Sequence, residues 1–300
     1  MPSSAFAGTH VAIVTPMRDD GGIDWTAWTR LLDWHAASGT RGVVVGGTTG
    51  ESPTVTADEL LELTRRARAQ LAGRAQVIVG CGDNDTAFTA ARVREFSAEN
   101  VDGLLLVTPA YNKPTQEGLY RHYEAAAAVA TVPLILYNVP SRTAVDMLPE
   151  TVARLAKLPR IVAVKEAVPD MARVRALVAQ CPPDFCVLSG DDATAREAIR
   201  NGARGVISVT GNVAPALMSQ MVGAACAGDA TRADELDARL AALHEKLFVE
   251  TNPIPVKWAL ERMGMMRGHL RLPLTPLSQR HYATVESALA QAGVPLAAAA

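Results

Sequence analysis

Ile161-Val162-Ala163-Val164-Lys165-Glu166-Ala167 is the stretch on which the fold turns. Four apolar residues, three of them β-branched, run straight into a lysine. The pattern predicts a strand buried on both faces, of the kind found in parallel sheets, that ends in a cation. Two readings of Lys165 stand side by side at this point. It is a long cationic side chain leaning out to water at a strand end, or it is an amine kept neutral by desolvation and used as a nucleophile toward a carbonyl.

Outward from this strand, similar apolar runs recur in both directions. Val11-Ala12-Ile13-Val14 ends at Thr15-Pro16, and Gly42-Val43-Val44-Val45 ends at Gly46-Gly47-Thr48-Thr49-Gly50. Val77-Ile78-Val79, Leu104-Leu105-Leu106-Val107 and Leu134-Ile135-Leu136-Tyr137 follow, and beyond the lysine strand come Cys186-Val187-Leu188 and Val206-Ile207-Ser208-Val209. Amphipathic segments lie between them. Apolar residues recur at helical spacing over 25–37, Thr56-Ala57-Asp58-Glu59 reads as a capping box, Asp85-Thr86 opens a helix, and Gln116-Glu117-Gly118 precedes another that runs through Ala130. Asp191-Asp192-Ala193-Thr194 is expected to cap the helix after the seventh strand.

Strand–helix alternation without a long break predicts an α/β fold, a closed (β/α)₈ TIM barrel. A doubly wound open sheet is the alternative. It would usually carry a glycine-rich dinucleotide loop, and Gly80-Cys81-Gly82 lacks the third glycine. Residues 210–300 remain after the eighth strand, with helices expected over 214–227, 230–248, 255–263 and 277–292. One of these closes the barrel and the rest form a C-terminal helical appendage. The division expected is a catalytic barrel over 1–226 and a helical region over 227–300 packed on it, since no low-complexity linker separates the two.

Composition bounds the function. The chain has 300 residues, 49% hydrophobic and 20% charged, with a net charge of −2. That balance gives no reason to expect nucleic acid or an anionic membrane as partner. The longest apolar runs are strand-sized rather than membrane-spanning. Residues 1–7 have neither a basic segment nor a long apolar one, so no secretion signal is expected. Cys81, Cys181, Cys186 and Cys226 show no paired metal spacing and are expected to be reduced, mostly buried cysteines of a cytosolic protein. Residues 296–300 are expected to fray.

In a barrel the chemistry collects at the C-terminal strand ends. There the sequence places Thr48 and Thr49 after the second strand, Tyr111 after the fourth, Tyr137 and Arg142 at and beyond the fifth, and Lys165 on the sixth. Each has a plain alternative: hydroxyls satisfying a glycine turn, a core aromatic, a solvated loop charge. Their convergence on one rim argues for chemistry. An amine condenses with a ketone to an imine that stabilises the adjacent carbanion as an enamine. A phenol bonded to a hydroxyl relays the protons this requires. Threonine hydroxyls and the N–H groups of the Gly-Thr-Thr-Gly turn suit a carboxylate, and Arg142 suits a second one. A small 2-oxo acid is therefore expected as first substrate, with another anionic partner as second.

With these residues assembled, the chain resembles the dihydrodipicolinate synthase/N-acetylneuraminate lyase family over essentially its whole length. The resemblance rests on Val11–Pro16, Gly47-Thr48-Thr49-Gly50-Glu51-Ser52, Tyr137-Asn138-Val139-Pro140-Ser141-Arg142-Thr143 and Val164-Lys165-Glu166-Ala167. It continues through Ser189-Gly190-Asp191-Asp192, Gly205–Thr210 and Asn252-Pro253-Ile254-Pro255-Val256-Lys257. Together these motifs are specific; singly each is weak. The resemblance implies that pyruvate forms a Schiff base on Lys165 and that its enamine attacks L-aspartate 4-semialdehyde. The product implied is 4-hydroxy-tetrahydrodipicolinate, in lysine and diaminopimelate biosynthesis, with no cofactor or metal. By the same resemblance Tyr137, Thr48 and Tyr111 form a proton relay, with Tyr111 entering from a neighbouring subunit. Thr49 holds the pyruvate carboxylate, Arg142 that of the semialdehyde, and Gly190 and the main-chain carbonyl of Ile207 line the floor. A homotetramer built as a dimer of dimers is implied. The Pro-Ser-Arg-Thr run after Tyr137 favours the synthase branch over the sugar-acid lyases.

The chain departs from the family pattern where feedback-inhibited members bind lysine in a dimer-interface cleft. At those positions stand Ala57, Leu60, Phe88 and Ala110, with Asn84 kept. Weak or absent inhibition by lysine is expected. Elsewhere the signals are poorer. The six histidines carry no metal-binding motif, Asp191-Asp192 reads as a cap before it reads as a cation site, and Cys81 has no base in view. Glu166, next to the lysine, should turn away from the interior by strand alternation. A barrel that keeps its fold without chemistry, as a binding or scaffold protein, is the answer of a different class.

Overall fold

The computed structural model describes residues 3–297. Met1, Pro2 and residues 298–300 of the tail expected to fray lie outside the described residues. Within that tail the N–H of Ala297 donates to the carbonyl of Arg262 at 2.9 Å.

Among the described residues eight parallel strands close on themselves: β1 (Gly8–Ala12), β2 (Gly42–Val45), β3 (Gln76–Gly80), β4 (Gly103–Val107), β5 (Leu134–Asn138), β6 (Ile161–Glu166), β7 (Cys186–Ser189) and β8 (Gly205–Ser208). Each pairs with its neighbour in sequence, and β8 returns to β1 through Gly8↔Gly205 and Thr9↔Val206. This is the (β/α)₈ barrel. The helices are α1 (Trp25–Ala37), α2 (Ala57–Leu71), α3 (Thr86–Ala98), α4 (Gln116–Val129), the short α5 (Pro140–Thr143), α6 (Pro149–Leu155), α7 (Met171–Gln180) and α8 (Ala195–Arg200). Then come α9 (Pro215–Cys226), α10 (Ala230–Lys246), α11 (Ile254–Arg262) and α12 (Tyr282–Ala292). Among the described residues no helix is long and apolar enough to cross a membrane.

Local chemistry explains these boundaries. Helix α2 begins with a complete capping box: the Thr56 hydroxyl accepts from the Glu59 N–H, and the Glu59 carboxylate accepts from the Thr56 N–H. The carboxylates of Asp24, Asp85, Asp170 and Asp229 accept from the first turns of α1, α3, α7 and α10.

Three expectations shift. The first strand lies earlier than its apolar run, at Gly8–Ala12, because the ladder to β8 starts at Gly8. Val14 lies beyond the ladder, and its N–H donates to the Asn212 side chain at 3.1 Å. The last helix starts at Tyr282 rather than 277, since Gln279–His281 forms a tighter 3₁₀ turn first. The Asp191–Thr194 cap is also different. Thr194 occupies the cap position of α8 without a side-chain bond to the helix, while Asp191 binds the N–H and hydroxyl of Thr194. Asp192 accepts from the N–H groups of Val209 and Thr210 at 2.8 Å each, tying the turn after β7 to the end of β8.

Two apolar layers follow from strand alternation. Outward residues such as Val43, Val45, Leu104, Leu106, Leu134 and Leu136 pack against the helices. Inward residues Ala12, Val44, Ile78, Leu105, Ile135, Ala163, Leu188 and Ile207 fill the interior. Phe6, 1% exposed, belongs to this inner cluster. Its 3₁₀ turn (Ser3–Phe6) lies against β6 and β7, and its ring plugs the N-terminal end of the barrel beside Gly103 and the His10 ring. Helix α9 lies on β1 and α8 and completes the outer ring. Helix α10 packs on α9 and α12, and Trp258 of α11 stacks on Tyr282 of α12, centroids 4.6 Å apart.

Candidate active site

Alternation and register place the central pair. Ile135 and Ala163 face the interior, so Tyr137 and Lys165, two residues on, face it too, one level nearer the C-terminal rim. They are direct partners across the β5–β6 ladder. Both are buried, at 7% and 5% exposure, and the Lys165 amine lies 4.2 Å from the Tyr137 ring centroid. Among the described residues Lys165 makes no ion pair. The adjacent carboxylate, Glu166, faces outward. It accepts from Arg173 Nε of α7 at 2.8 Å, from the Asn138 amide and from the Val168 N–H. Burial pushes the Glu166 carboxyl upward against the opposing pull of Arg173. Lys165 is thereby left with a ring face and a cavity.

That cavity has a volume of about 230 Å³, and Thr48, Thr49, Tyr137, Arg142, Lys165 and Gly190 all line it. The threonines come from a 3₁₀ turn (Thr48–Gly50) entered through Gly46 at φ 67° and left through Glu51 at φ 57°, ψ 41°. A Cβ at Gly80 would meet the Gly46 carbonyl at 2.4 Å, so this turn approaches β3 only where no side chain intervenes. Arg142 sits on the one-turn helix α5 that follows β5, and its guanidinium donates to the Asn252 carbonyl at 3.4 Å. A Cβ at Gly190 would come 2.9 Å from Ala167 Cβ and 3.1 Å from Lys165 Cε, so the bare backbone there leaves the lysine side chain its room.

Two of the residues singled out in the sequence lie elsewhere. Ile207, 1% exposed, is in the apolar layer below the cavity, and Val209 lines the wall on that side. Tyr111 is 92% exposed, holds φ 64°, and is not among the lining residues. Its loop is braced by Asn84, whose side chain accepts from the Ala110 N–H at 2.7 Å.

Residues to which the sequence alone assigned no role complete the site. Phe248, just past α10, and Asn252 line the cavity. The Asn252 amide donates to the Thr49 hydroxyl oxygen at 3.0 Å. Behind the turn, Lys257 and Glu51 form an ion pair at 2.5 Å, 0% and 2% exposed. Burial draws the Lys257 ammonium below its ordinary value, against the pull of Glu51. The signal was present in the sequence: a lysine inside the apolar run Ile254-Pro255-Val256-Lys257-Trp258-Ala259-Leu260 needs a buried partner.

A rim bearing a lysine, a phenol, two threonines and an arginine narrows the comparison with known proteins, and that comparison is decisive. The profile of the Dihydrodipicolinate synthetase family matches residues 5–292. The chain belongs to this family. It is an enzyme of the family, a lyase on a TIM barrel. A 4-hydroxy-tetrahydrodipicolinate synthase from Acidovorax sp. (strain JS42) is 51% identical, over 98% of this chain and 99% of the relative. A chloride-inhibited dihydrodipicolinate synthase from Acinetobacter baumannii, solved with pyruvate, is 45% identical with a TM-score of 0.95, covering 96% and 99% of the two chains. A family member from Cyanidioschyzon merolae, solved with lysine bound, is 35% identical with a TM-score of 0.93, covering 96% and 99%.

Beside the site of this family member lies a second cavity of about 310 Å³, which shares Thr48 and Tyr137 as a wall. Leu60 and Asn84 line it, as does Arg92, whose Nε is buried and makes no hydrogen bond. Phe88, half exposed, lies with its ring centroid 5.8 Å from the Arg92 guanidinium. Cys81 also lines this cavity, its thiol pushed up to about 12 by burial.

Proposed function

We propose that this chain condenses pyruvate with L-aspartate 4-semialdehyde to give 4-hydroxy-tetrahydrodipicolinate, serving lysine and diaminopimelate biosynthesis. The observation that carries the reading is Lys165: a buried, unpaired amine opening into a cavity that Tyr137, Thr48, Thr49 and Arg142 also line.

The Lys165 amine attacks the ketone carbon of pyruvate, water leaves, and an imine forms. Loss of a methyl proton gives the enamine, whose terminal carbon attacks the aldehyde. The amino group of the semialdehyde then attacks the imine carbon, closing the ring and returning Lys165 as a free amine. One water is lost overall. Tyr137 and Thr48 move these protons, completed by Tyr111 of a second copy, since Tyr111 projects out of its own protomer. Thr49 donates to the pyruvate carboxylate, Arg142 takes the carboxylate of the semialdehyde at the mouth, and Gly190 forms the floor, with Ile207 in the apolar layer beneath it. The working assembly is a homo-oligomer, a tetramer built from dimers, acting in the cytoplasm without nucleic-acid or membrane partners. Residues 1–226 form its catalytic barrel and 227–300 its helical region. Lysine inhibits weakly or not at all.

Coupled assays of the purified protein with pyruvate plus L-aspartate 4-semialdehyde, run against N-acetylneuraminate cleavage, test the reading. Turnover of the first pair alone supports it. Turnover of the sugar acid alone overturns it in favour of an aldolase.

A further inference from the structure

The turn that carries Thr48 and Thr49 is gripped twice by one short segment far along the chain. Asn252 donates to the Thr49 hydroxyl oxygen at 3.0 Å. Five residues on, Lys257 donates to the Glu51 carboxylate at 2.5 Å and to the Thr15 carbonyl at 3.0 Å. The other Glu51 oxygen accepts from the Arg271 N–H at 3.1 Å. Glu51 itself stands in the left-handed region, which a residue with a Cβ adopts only when its surroundings impose it. Its N–H closes the turn on the Thr48 carbonyl at 3.1 Å.

We propose that Lys257, acting through Glu51, is a positioning residue for the carboxylate-binding turn, and so sets the affinity of the site for its 2-oxo acid. The proposal rests on the imine reading above. With its oxygen already accepting from Asn252, the Thr49 hydroxyl is free to donate its own hydrogen into the cavity. That hydrogen is aimed only if the turn is fixed, and the Lys257–Glu51 pair fixes it from below. Neither side chain reaches the cavity lining, so their effect on substrate passes entirely through the backbone of residues 48–51.

The test compares two ketones of similar size, pyruvate and methyl pyruvate, the second without a charged carboxylate. Borohydride trapping on the intact protein is followed by mass spectrometry. The Glu51→Gln/Lys257→Met double variant removes both charges together and avoids stranding one of them in the interior. Its half-saturating pyruvate concentration for trapping should rise by roughly tenfold or more, the scale expected of a misplaced binding group. The value for methyl pyruvate should stay within about twofold. Should the double variant fail to fold, Glu51→Gln alone retains an acceptor for Lys257 and should show the same selective loss to a smaller degree. Equal losses for both ketones would mean a general structural role, and no loss for either would mean that the turn holds without the pair; each overturns the proposal. Absence of any adduct in the unaltered protein would instead defeat the imine reading itself.

Discussion

The Lys165 amine sits 4.2 Å from the centroid of the Tyr137 ring, and the two residues are direct partners across the β5–β6 ladder. The ring therefore lies against the amine, while its hydroxyl, at the far edge of the same side chain, is the group that the proposed relay uses. Tyr137→Phe separates these roles. Trapping of pyruvate on Lys165 should persist, while kcat falls by about 10²–10⁴-fold, the usual worth of a positioned acid or base. Steady-state rates and trapping on the same preparation decide it; a normal kcat would remove the hydroxyl from the relay.

Arg142 lines the mouth and is oriented by the Asn252 carbonyl. Arg142→Ala should raise KM for the semialdehyde by roughly 30-fold, in keeping with about 2 kcal/mol for a charge-assisted contact. Borohydride-trapped pyruvate adduct should be unchanged. Unaltered kinetics with the semialdehyde would place the second carboxylate elsewhere.

At Gly190 there is no room for one further carbon beside Lys165 Cε. Gly190→Ala should displace the amine and slow imine formation by about tenfold or more. The thermal midpoint should fall only modestly, because Ala167 and the lysine stem can shift. Stopped-flow binding of pyruvate and a melting curve together check this; imine formation at the normal rate would show that the lysine side chain has slack.

The cavity beside the site presents Leu60 and Arg92, whose Nε makes no hydrogen bond. An ammonium placed there meets the Arg92 cation and an aliphatic wall, with the single carboxylate of Asp83 to set against them. Initial rates should be the same with and without millimolar lysine. Strong inhibition would locate a lysine site that these residues do not describe.

His10 and His35 are fully buried, and burial lowers their pKa values from 6.5 to about 4 and about 3. The unfolded chain takes up protons at the ordinary value while the fold resists. The stability from burying them neutral is thus whole above pH ~6.5 and is lost as pH falls, until about pH 4 for His10 and about pH 3 for His35. Each pH unit in that window costs about 1.4 kcal/mol per histidine. Melting curves from pH 7 to 4 should slope downward, and His35→Leu should lessen the slope. An unchanged slope would mean that His35 does not drive the loss.

The barrel was legible because its strands are short apolar runs with a lysine, a tyrosine and threonines at the ends where polar residues are otherwise costly. Alternation then predicted correctly that Glu166 turns away from the interior that Lys165 faces. What escaped were features set by distant pairing. Gly8 starts β1 because of Gly205, not because of its own neighbours. Asp192 looks like a helix cap locally, yet one of its oxygens accepts from both Val209 and Thr210 at the end of the next strand. Asn252 and Lys257 stand roughly two hundred residues from Thr49 and Glu51, the residues they hold; the apolar run around Lys257 signals that it needs a partner, but no local pattern says which. Tyr111 is a surface residue in one copy of the chain, and the part proposed for it in the relay needs a second copy.

Phe6 and the apolar residues of the inner cluster fill the far end of the barrel, so ligands reach the cavity that Lys165 lines from the C-terminal rim. Whatever bonds to the amine then lies deeper than whatever follows it through the same door. Under the proposed chemistry the order of addition is a matter of architecture: the ketone must arrive first, its water must leave before the aldehyde comes in, and the aldehyde bound early would shut the ketone out. Excess semialdehyde should therefore compete with pyruvate for the empty enzyme rather than merely saturate the second step.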